Sequence, residues 1–258
     1  MHEGHAHEHT HPVPREPRGE PLIELSGISH AFAGGRRVLR HVDFTLHQGQ
    51  KLGIVGPNGS GKTTFLQVIM GVQPVSGGSI RAFGKPVETE KDFRELRKRV
   101  GFVFQDADDQ LFCPTVLEDV AFGPLNLGKS PDEARDIAVR TLRDLHLSGF
   151  ENRVPYRLSG GEKRLVALAT VLSMEPDVLL LDEPTTGLDR DTLEHITTIL
   201  ENLDKTLLIV SHEYDFLARA TTEIYGMEDG SLVYGGESAT LHTHHHVHPL
   251  GHVPHKHA

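Results

Sequence analysis

Residues 56–63 of this chain read Gly56-Pro-Asn-Gly-Ser-Gly-Lys-Thr63 and match the pattern G-x-x-x-x-G-K-[ST]. The apolar run Lys51-Leu-Gly-Ile-Val55 precedes the motif, and an apolar-rich helical segment from Thr63 to Met70 follows it. In this strand–loop–helix context, glycines let backbone N–H groups reach phosphate oxygens, and the positive end of the helix dipole adds to the attraction. A tight glycine turn that binds nothing does not account for the lysine, the hydroxyl and both flanks in register. We therefore predict a nucleotide phosphate site, with Lys62 on the β- and γ-phosphates and the Thr63 hydroxyl on Mg²⁺.

Length and composition limit the class of protein. With 258 residues, 37% hydrophobic and 24% charged, the chain has material for one large domain, or for one domain with an inserted subdomain. No stretch approaches 18 consecutive apolar residues and the first residues lack the regions of a signal peptide, so we expect a chain that does not itself cross a membrane. Cys113 is the single cysteine, which excludes an internal disulfide and agrees with a reducing cytoplasm. The formal net charge of −10 argues against general nucleic-acid binding.

Strand-like runs alternate with helical patterns along the middle of the chain, which predicts an α/β fold on a largely parallel sheet. The strand candidates are residues 22–28, 38–46, 51–55, 100–104, 178–181, 206–210 and 223–227. From about Asp106 to Val154 the pattern is helical, with capping boxes at Thr115–Glu118 and Ser130–Glu133. After the second box, one helix face is apolar over about three turns, through Ala134, Ile137, Ala138, Thr141, Leu142 and Leu145. We infer a helical subdomain, at about residues 106–165, inserted into the α/β core.

A second strand ends in two carboxylates. Val178-Leu-Leu-Leu-Asp182 is an apolar run that leads directly to Glu183 and then Pro184. Beside a phosphate loop, Asp182 is placed to hold Mg²⁺ and Glu183 to orient or deprotonate the attacking water as general base. A solvated acidic turn is the alternative, and the phosphate loop upstream makes it the weaker interpretation.

The segment Leu158-Ser-Gly-Gly-Glu162 opens another helix. Ser159 and Glu162 can form a capping box of their own, and Gly160 and Gly161 can simply allow close packing. The functional alternative is a second phosphate clamp, because a helix N-terminus with a serine hydroxyl and two unobstructed amides attracts an anion.

Together these motifs give the chain a recognisable pattern. Over roughly residues 21–240 it resembles the ATPase subunit of ATP-binding-cassette (ABC) transporters, with each family motif present once and in the family's order. The resemblance implies a phosphate-loop ATPase core with a mainly parallel sheet, an antiparallel β subdomain and an inserted helical subdomain. It also implies ATP and Mg²⁺ as cofactors.

The resemblance assigns roles to individual residues. The nucleotide-binding residues it implies in the Walker A loop are Gly56, Pro57, Asn58, Gly59, Ser60, Gly61, Lys62, Thr63 and Thr64; those in the signature are Ser159, Gly160, Gly161 and Glu162. Glu183, His212 and Gln105 would be catalytic, as the Walker B glutamate, the switch histidine and the Q-loop glutamine. Thr63, Gln105 and Asp182 would hold Mg²⁺. Phe32 stands where the family places an aromatic ring on adenine, although a lone aromatic in a turn is often only packed.

One residue departs from the commonest family pattern. Glu162 stands where that signature has glutamine, which leaves open whether it contacts a nucleotide or only caps its helix. In this family the signature of one subunit closes on the Walker A nucleotide of another. The resemblance therefore implies a homodimer with two composite sites, closed by ATP and opened by hydrolysis.

The stretch after Gln105 narrows the resemblance. Residues 103–112 and 118–124 are similar to the ATPases of energy-coupling-factor (ECF) importers, which take up vitamins and transition metals. There this stretch forms a short helix that meets a transmembrane coupling subunit. We expect Leu111 and Phe112 to be partly exposed, since a docking site needs apolar anchors; the alternative is that they are core residues.

Histidine is the compositional outlier. Of 19 histidines, five lie between His2 and His11 and eight between His242 and His257. We expect residues 1–20 and 241–258 to be disordered, because they have almost nothing to bury. Neutral imidazole binds Co(II), Ni(II), Cu(II) and Zn(II), so these tails can buffer or sense metal or serve only as solvating tails. The possible transition-metal ligands of the second tail are His242, His244, His245, His246 and His248.

These observations support the ATPase of an ECF-type cobalt importer. Its expected partners are a second copy of itself, a transmembrane coupling subunit and a metal-binding membrane subunit, without nucleic acid. The expected location is peripheral, at the cytoplasmic face of the cell membrane. The alternatives left open are a nickel or vitamin importer, a soluble ABC ATPase without transport, and a histidine-rich metal-storage protein.

Overall fold

The computed structural model describes residues 19–238. The predictions for residues 1–18 and 241–258, including the five candidate ligands from His242 to His248, lie outside the described residues.

Two β-sheets carry the fold. A four-stranded antiparallel sheet has the order β2-β1-β4-β5, and a six-stranded sheet has the order β10-β9-β3-β8-β7-β6. In the larger sheet the five strands from β9 to β6 run parallel, and β10 pairs antiparallel with β9. The strands are β1 (Pro21–Ala31), β2 (Arg37–His47), β3 (Lys51–Val55), β4 (Gly77–Ala82), β5 (Lys85–Pro86), β6 (Val100–Val103), β7 (Val178–Asp182), β8 (Thr206–Val210), β9 (Glu223–Glu228) and β10 (Ser231–Glu237).

Seven α-helices complete the described part of the chain. They are α1 (Lys62–Ile69), α2 (Glu90–Arg97), α3 (Val116–Asn126), α4 (Pro131–Asp144), α5 (Gly160–Leu172), α6 (Arg190–Asn202) and α7 (Tyr214–Ala220). No strand lies between β6 and β7, where α3, α4 and α5 pack on one another. The predicted fold class, an α/β fold with a mainly parallel sheet, an antiparallel sheet and helices, is confirmed.

The parallel strands divide the interior into two cores. In β7, Val178 and Leu180 face one buried cluster with β1, β2 and α1, while Leu179 and Leu181 face the other cluster with the inserted helices. Successive side chains of a strand point to opposite faces of a sheet, and both faces are covered here. This is why these strands appear in the sequence as unbroken apolar runs.

Candidate functional site

The candidate site lies where three adjacent parallel strands end. Gly56 follows β3, Glu183 follows β7, and His212 follows β8, which runs between the other two. The carboxyl ends of parallel strands meet at one edge of a sheet, which is where open α/β sheets bind ligands. The loops after these strands therefore gather residues that are separated by more than a hundred positions in the sequence.

The glycines of the loop are required by close backbone contacts. A Cβ on Gly56 would lie 2.2 Å from the Met227 carbonyl oxygen. Gly61, the N-cap residue of α1, has a φ of 113°, and its Cβ would lie 2.9 Å from the Val38 carbonyl oxygen. Any side chain at either position would therefore displace the loop from β2 or β9.

The loop closes around the lysine. Lys62 is 7% exposed, and its Nζ donates hydrogen bonds to the carbonyl oxygens of Gly56, at 2.8 Å, and Pro57, at 3.2 Å. Burial lowers the pKa of Lys62, while the nearby carboxylates of Glu183 and Asp182 act in the opposite direction. The ammonium group is thus held at the centre of the loop, facing both acids of the second motif.

One cavity brings together half of the predicted nucleotide-binding residues and two of the predicted catalytic residues. It has a volume of about 410 Å³, and the predicted residues that line it are Phe32, Asn58, Gly59, Gly61, Lys62, Thr63, Thr64, Gln105 and Glu183. Arg36 and Val38 complete its wall. A second cavity of about 570 Å³ shares Thr63 and Gln105 with the first and is also lined by Asp182. The structure thus brings the predicted phosphate, magnesium and base residues to two connected spaces.

The donor set beside Thr63 fits a magnesium ion. The Thr63 hydroxyl donates to the buried Asp182 carboxylate, and Asp182 Oδ1 has no hydrogen-bond partner among the described residues. Burial raises the pKa of Asp182, although the Thr63 hydrogen bond opposes the change. An unpaired buried carboxylate oxygen, a hydroxyl and the amide of Gln105 offer the hard oxygen ligands that Mg²⁺ prefers.

Glu183 and His212 contact each other directly. His212 Nδ1 lies 2.8 Å from Glu183 Oε2, and the Thr186 hydroxyl donates to the same oxygen at 3.1 Å. Glu183 is buried, whereas the His212 side chain is 58% exposed. The Glu183 carboxylate is therefore held at one oxygen by groups from the segments that follow β7 and β8.

The signature residues lie apart from both cavities. Ser159 accepts a hydrogen bond from Glu162 N at 3.2 Å, and Glu162 accepts one from Ser159 N at 2.8 Å, which completes the predicted capping box. The second carboxylate oxygen of Glu162 bonds Arg153 at 2.8 Å. A Cβ on Gly161 would meet Thr192 at 2.8 Å, but one on Gly160 would meet nothing within 4 Å. The packing explanation therefore holds for Gly161 only, and the N-terminus of α5 stays open at Gly160.

Phe32 lines the first cavity from the loop after β1. Its ring is 40% exposed and stands edge-on to His30, with 4.9 Å between the ring centroids. An exposed ring at the cavity wall has the apolar face that a base can stack on.

Sequence reasoning missed residues that support the Q-loop. Arg164 Nη1 donates to the carbonyl oxygens of Phe104, at 3.0 Å, and Gln105. Gln110 Nε2 donates to the Ala167 carbonyl oxygen at 2.7 Å. The sequence signal for Arg164 was its position as the single arginine of α5, next to an apolar run. A guanidinium group that is buried there needs hydrogen-bond acceptors.

Comparison with known proteins agrees with this geometry. A family model described as "ABC transporter" matches residues 39–186. A Nitratidesulfovibrio vulgaris protein, named as an ABC transporter ATP-binding protein, is 48% identical over 240 residues, which cover 93% of this chain and 87% of the relative. The energy-coupling factor transporter ATP-binding protein EcfA of Methanothermobacter thermautotrophicus is 40% identical over 219 residues, covering 83% and 70%.

A solved structure is also similar. It is cbiO1 from Clostridium perfringens, part of the ABC transporter complex cbiONQ, at a TM-score of 0.78 and 31% identity, covering 87% of this chain and 91% of that one. The fold, the site and the family match lead to one conclusion. This chain belongs to the ABC transporter family, as an ATP-binding subunit that hydrolyses ATP.

Proposed function

We propose that this ATPase powers an ECF-type importer for a transition metal ion, with Co(II) as the substrate. The metal substrate is inferred from the histidine-rich sequence of residues 1–20 and 241–258. The observation that carries the ECF-type assignment is an exposed pair of aromatic side chains, one that follows the Q-loop and one on α3. Phe112 is 66% exposed and Phe122 is 45% exposed, and their ring centroids are 4.9 Å apart. The similarity to an energy-coupling factor ATPase and to cbiO1 supports the same assignment.

The aromatic pair suits a membrane partner. Exposed apolar side chains that touch one another form an anchor for an apolar helix, because burying them removes a sizeable area from water. Leu111, by contrast, is half-buried against the core, so Phe112 carries most of the proposed contact. Among the described residues, no helix combines the length and apolar character that a membrane crossing requires.

Hydrogen bonds hold the segment that leads from the nucleotide cavities to this surface against α5. Gln110 Oε1 accepts from Phe104 N at 3.2 Å, while Gln110 Nε2 donates to the Thr170 hydroxyl at 2.7 Å on α5. Arg164, also on α5, donates to the Gln105 carbonyl oxygen. We propose that a movement of Gln105 at the nucleotide shifts this segment, and with it the aromatic pair and the bound coupling subunit.

The proposed hydrolysis uses groups already in place. Glu183 accepts the proton of the attacking water on Oε1, since His212 and Thr186 occupy Oε2 and fix the carboxylate plane. Lys62 stabilises charge on the β- and γ-phosphates. Thr63, Asp182 and Gln105 would hold Mg²⁺, which supplies charge neutralisation at the transferred phosphoryl group.

Two copies of the chain form the working unit in this proposal. The open N-terminus of α5, at Ser159 and Gly160, does not line its own cavity and would close on the nucleotide of the second copy. The dimer would sit at the cytoplasmic face of the membrane on a coupling subunit and a metal-binding subunit. The histidines of residues 1–20 and 241–258 would buffer the metal.

The test is uptake of radiolabelled cobalt and nickel by cells that make this chain with its neighbouring membrane components. Uptake of cobalt that is lost in Glu183→Gln would support the proposal. Uptake of nickel instead of cobalt would identify nickel as the substrate. If neither metal is taken up while ATPase activity is intact, a vitamin importer becomes the favoured alternative. Phe112→Ser should abolish uptake while its purified chain still hydrolyses ATP; Val72→Ser, at an exposed valine outside this surface, is the matched control.

A further inference from the structure

Two histidines of the folded body lie side by side, away from the nucleotide site. His146 follows the end of α4 in a left-handed backbone conformation, with φ of 59°, and its side chain is exposed. His195 is in the second turn of α6 and is half-buried. Their ring centroids are 5.6 Å apart and the ring planes are inclined by 37°. The pair is outside both cavities that contain the predicted ATP residues.

The distance between the two ring centroids matches that of two histidine ligands on one metal ion. Imidazole nitrogens bind Zn²⁺ at about 2.0–2.1 Å, so two rings that share an ion at roughly tetrahedral angles have centroids roughly 5–6 Å apart. His195 Nε2 is buried and has no hydrogen-bond partner among the described residues. A buried nitrogen that is left unpaired costs free energy, and coordination to an ion would remove that cost.

The protonation state also suits coordination. Burial lowers the pKa of His195, and the neighbouring His146 lowers it further. Metal ions bind the neutral imidazole, so the low pKa keeps the binding form at neutral pH. Proton competition for this ring is thus weaker than for an exposed histidine.

We propose that His146 and His195 bind one divalent transition-metal ion, of the Zn²⁺, Ni²⁺ and Co²⁺ class, between α4 and α6. Within residues 19–238 no group of three or more histidine, cysteine, aspartate or glutamate side chains is arranged to hold a metal, so water would fill the other positions. Because His146 is exposed, the pair is open to solvent on that side.

The position of the site gives it a structural consequence. The helix α4 belongs to the inserted helices, whereas α6 begins directly after Asp189, six residues beyond Glu183. An ion bound by both histidines would link the inserted helices to α6 and so to the nucleotide-binding core. Ion binding would then stabilise the folded chain, because an unfolded chain does not hold the two rings together.

Thermal unfolding of the full-length chain with added Zn²⁺ tests the site. The histidines of residues 1–18 and 239–258 are the same in every variant, so their contribution to a shift in Tm cancels in the comparison. We expect a rise of roughly 3–6 °C at ten times the dissociation constant of the pair. The rise should vanish in His146→Gln and in His195→Gln, persist in His47→Gln, and be absent with Mg²⁺.

Several outcomes would overturn the proposal. These are no rise in the wild type, an equal rise in all variants, or a loss in His47→Gln as large as in the pair. If His195→Gln does not fold, the exposed position in His146→Gln decides the result. As an independent readout, Zn²⁺ should protect the peptide containing His146 from diethylpyrocarbonate in the wild type but not in His195→Gln.

Discussion

Glu183 holds a backbone conformation that ordinary residues avoid, with φ of 48°. Such a conformation costs of order 1–3 kcal/mol and persists only when the surroundings fix it. Here the Glu183 N–H donates to the Val210 carbonyl oxygen at 2.8 Å, and the carboxylate bonds His212 and Thr186. The strained turn directs the carboxylate toward the cavity that Lys62 and Thr63 also line.

The first prediction concerns this carboxylate. Glu183→Gln keeps the shape of the side chain but removes the proton acceptor, so we expect kcat for ATP hydrolysis to fall about 10²–10⁴-fold. ATP affinity should change little, because the Walker A residues remain. Phosphate release and fluorescent-nucleotide binding measure the two effects. The control is Glu95→Gln, which changes an exposed glutamate of α2 that pairs with Lys98. If Glu183→Gln hydrolyses ATP at the wild-type rate, Glu183 is not the general base.

The single cysteine gives a second prediction. Burial and the neighbouring Asp119 carboxylate raise the pKa of Cys113 to about 12, and Asp119 accepts hydrogen bonds from Phe112 N and Cys113 N. Only the thiolate reacts with alkylating reagents, so Cys113 should react slowly with iodoacetamide at pH 8 and faster as the pH rises toward 12.

Replacing the acid should speed the reaction. Asp119→Asn keeps an acceptor for both backbone N–H groups but removes the charge, so the alkylation rate at pH 8 should rise by about threefold to tenfold. In concentrated urea the wild type and the variant should react equally, since the contact is then lost. Equal rates in the folded state would show that burial alone sets the pKa of Cys113.

At the scale of the elements, the helix α5 combines a cap with a candidate binding surface. Its capping box has nearly the same geometry as that of α4, where Ser130 accepts from Glu133 N at 3.3 Å. Ser130 and Ser159 therefore contribute to stability in the same way. Only the N-terminus of α5 is also proposed to receive a nucleotide.

The third prediction separates the two roles. Ser130→Ala and Ser159→Ala should each lower the free energy of unfolding by about 1 kcal/mol, because each removes a side-chain cap. Only Ser159→Ala should also reduce ATP hydrolysis. Urea unfolding and steady-state ATPase assays supply both measurements. If the two variants lose equal stability and keep equal activity, Ser159 is a cap and nothing more.

The sequence predicted the parallel strands of the large sheet because their environment is uniform. Strands β3, β7 and β8 are covered on both faces, so each is an apolar run with ends close to the predicted ones. The unpredicted strands β4 and β10 have mostly exposed or half-buried side chains, so neither is an apolar run. The main partner of β4 is the distant β1, whereas β10 forms a hairpin with β9. The helix α2 was also not predicted, although its capping box at Thr89 and Asp92 was a readable signal.

The site was predictable in part for a related reason. Loop motifs such as residues 56–63 place their groups locally, whereas the contact between Glu183 and His212 depends on the order of β7 and β8. Likewise, the pairing of Arg164 with the Q-loop carbonyls joins residues 60 positions apart. The sequence pattern indicates such residues as candidates, but only the folded sheet shows which of them touch.

At the scale of the whole molecule, the proposed nucleotide site is divided between two surfaces. The phosphate cavity lies at the ends of the parallel strands, while the signature begins a helix in the insert and lines neither cavity there. A dimer with twofold symmetry would bring each signature to the other copy's cavity and create two equal sites. One intact site in such a dimer needs the loop of one copy and the signature of its partner.

The fourth prediction uses two inactive variants. Lys62→Ala removes the phosphate-binding cation. Gly160→Asp has room for its side chain and favours the N-terminus of α5, but its carboxylate would repel the phosphate of the second copy. Each variant alone should hydrolyse ATP poorly. A mixed dimer, however, has one site with both defects and one with neither, so random mixing should restore about a quarter of the wild-type rate.

The restored rate distinguishes a shared site from a self-contained one. It should grow as the copies exchange and reach its maximum at equal amounts of the two variants, as followed by phosphate release after mixing. A double variant, Lys62→Ala with Gly160→Asp in one chain, should gain nothing from either single variant, because no dimer containing it has an intact site. If the two single variants only add their residual rates, each chain hydrolyses ATP without its partner's signature. The open helix end at Gly160 would then have another purpose.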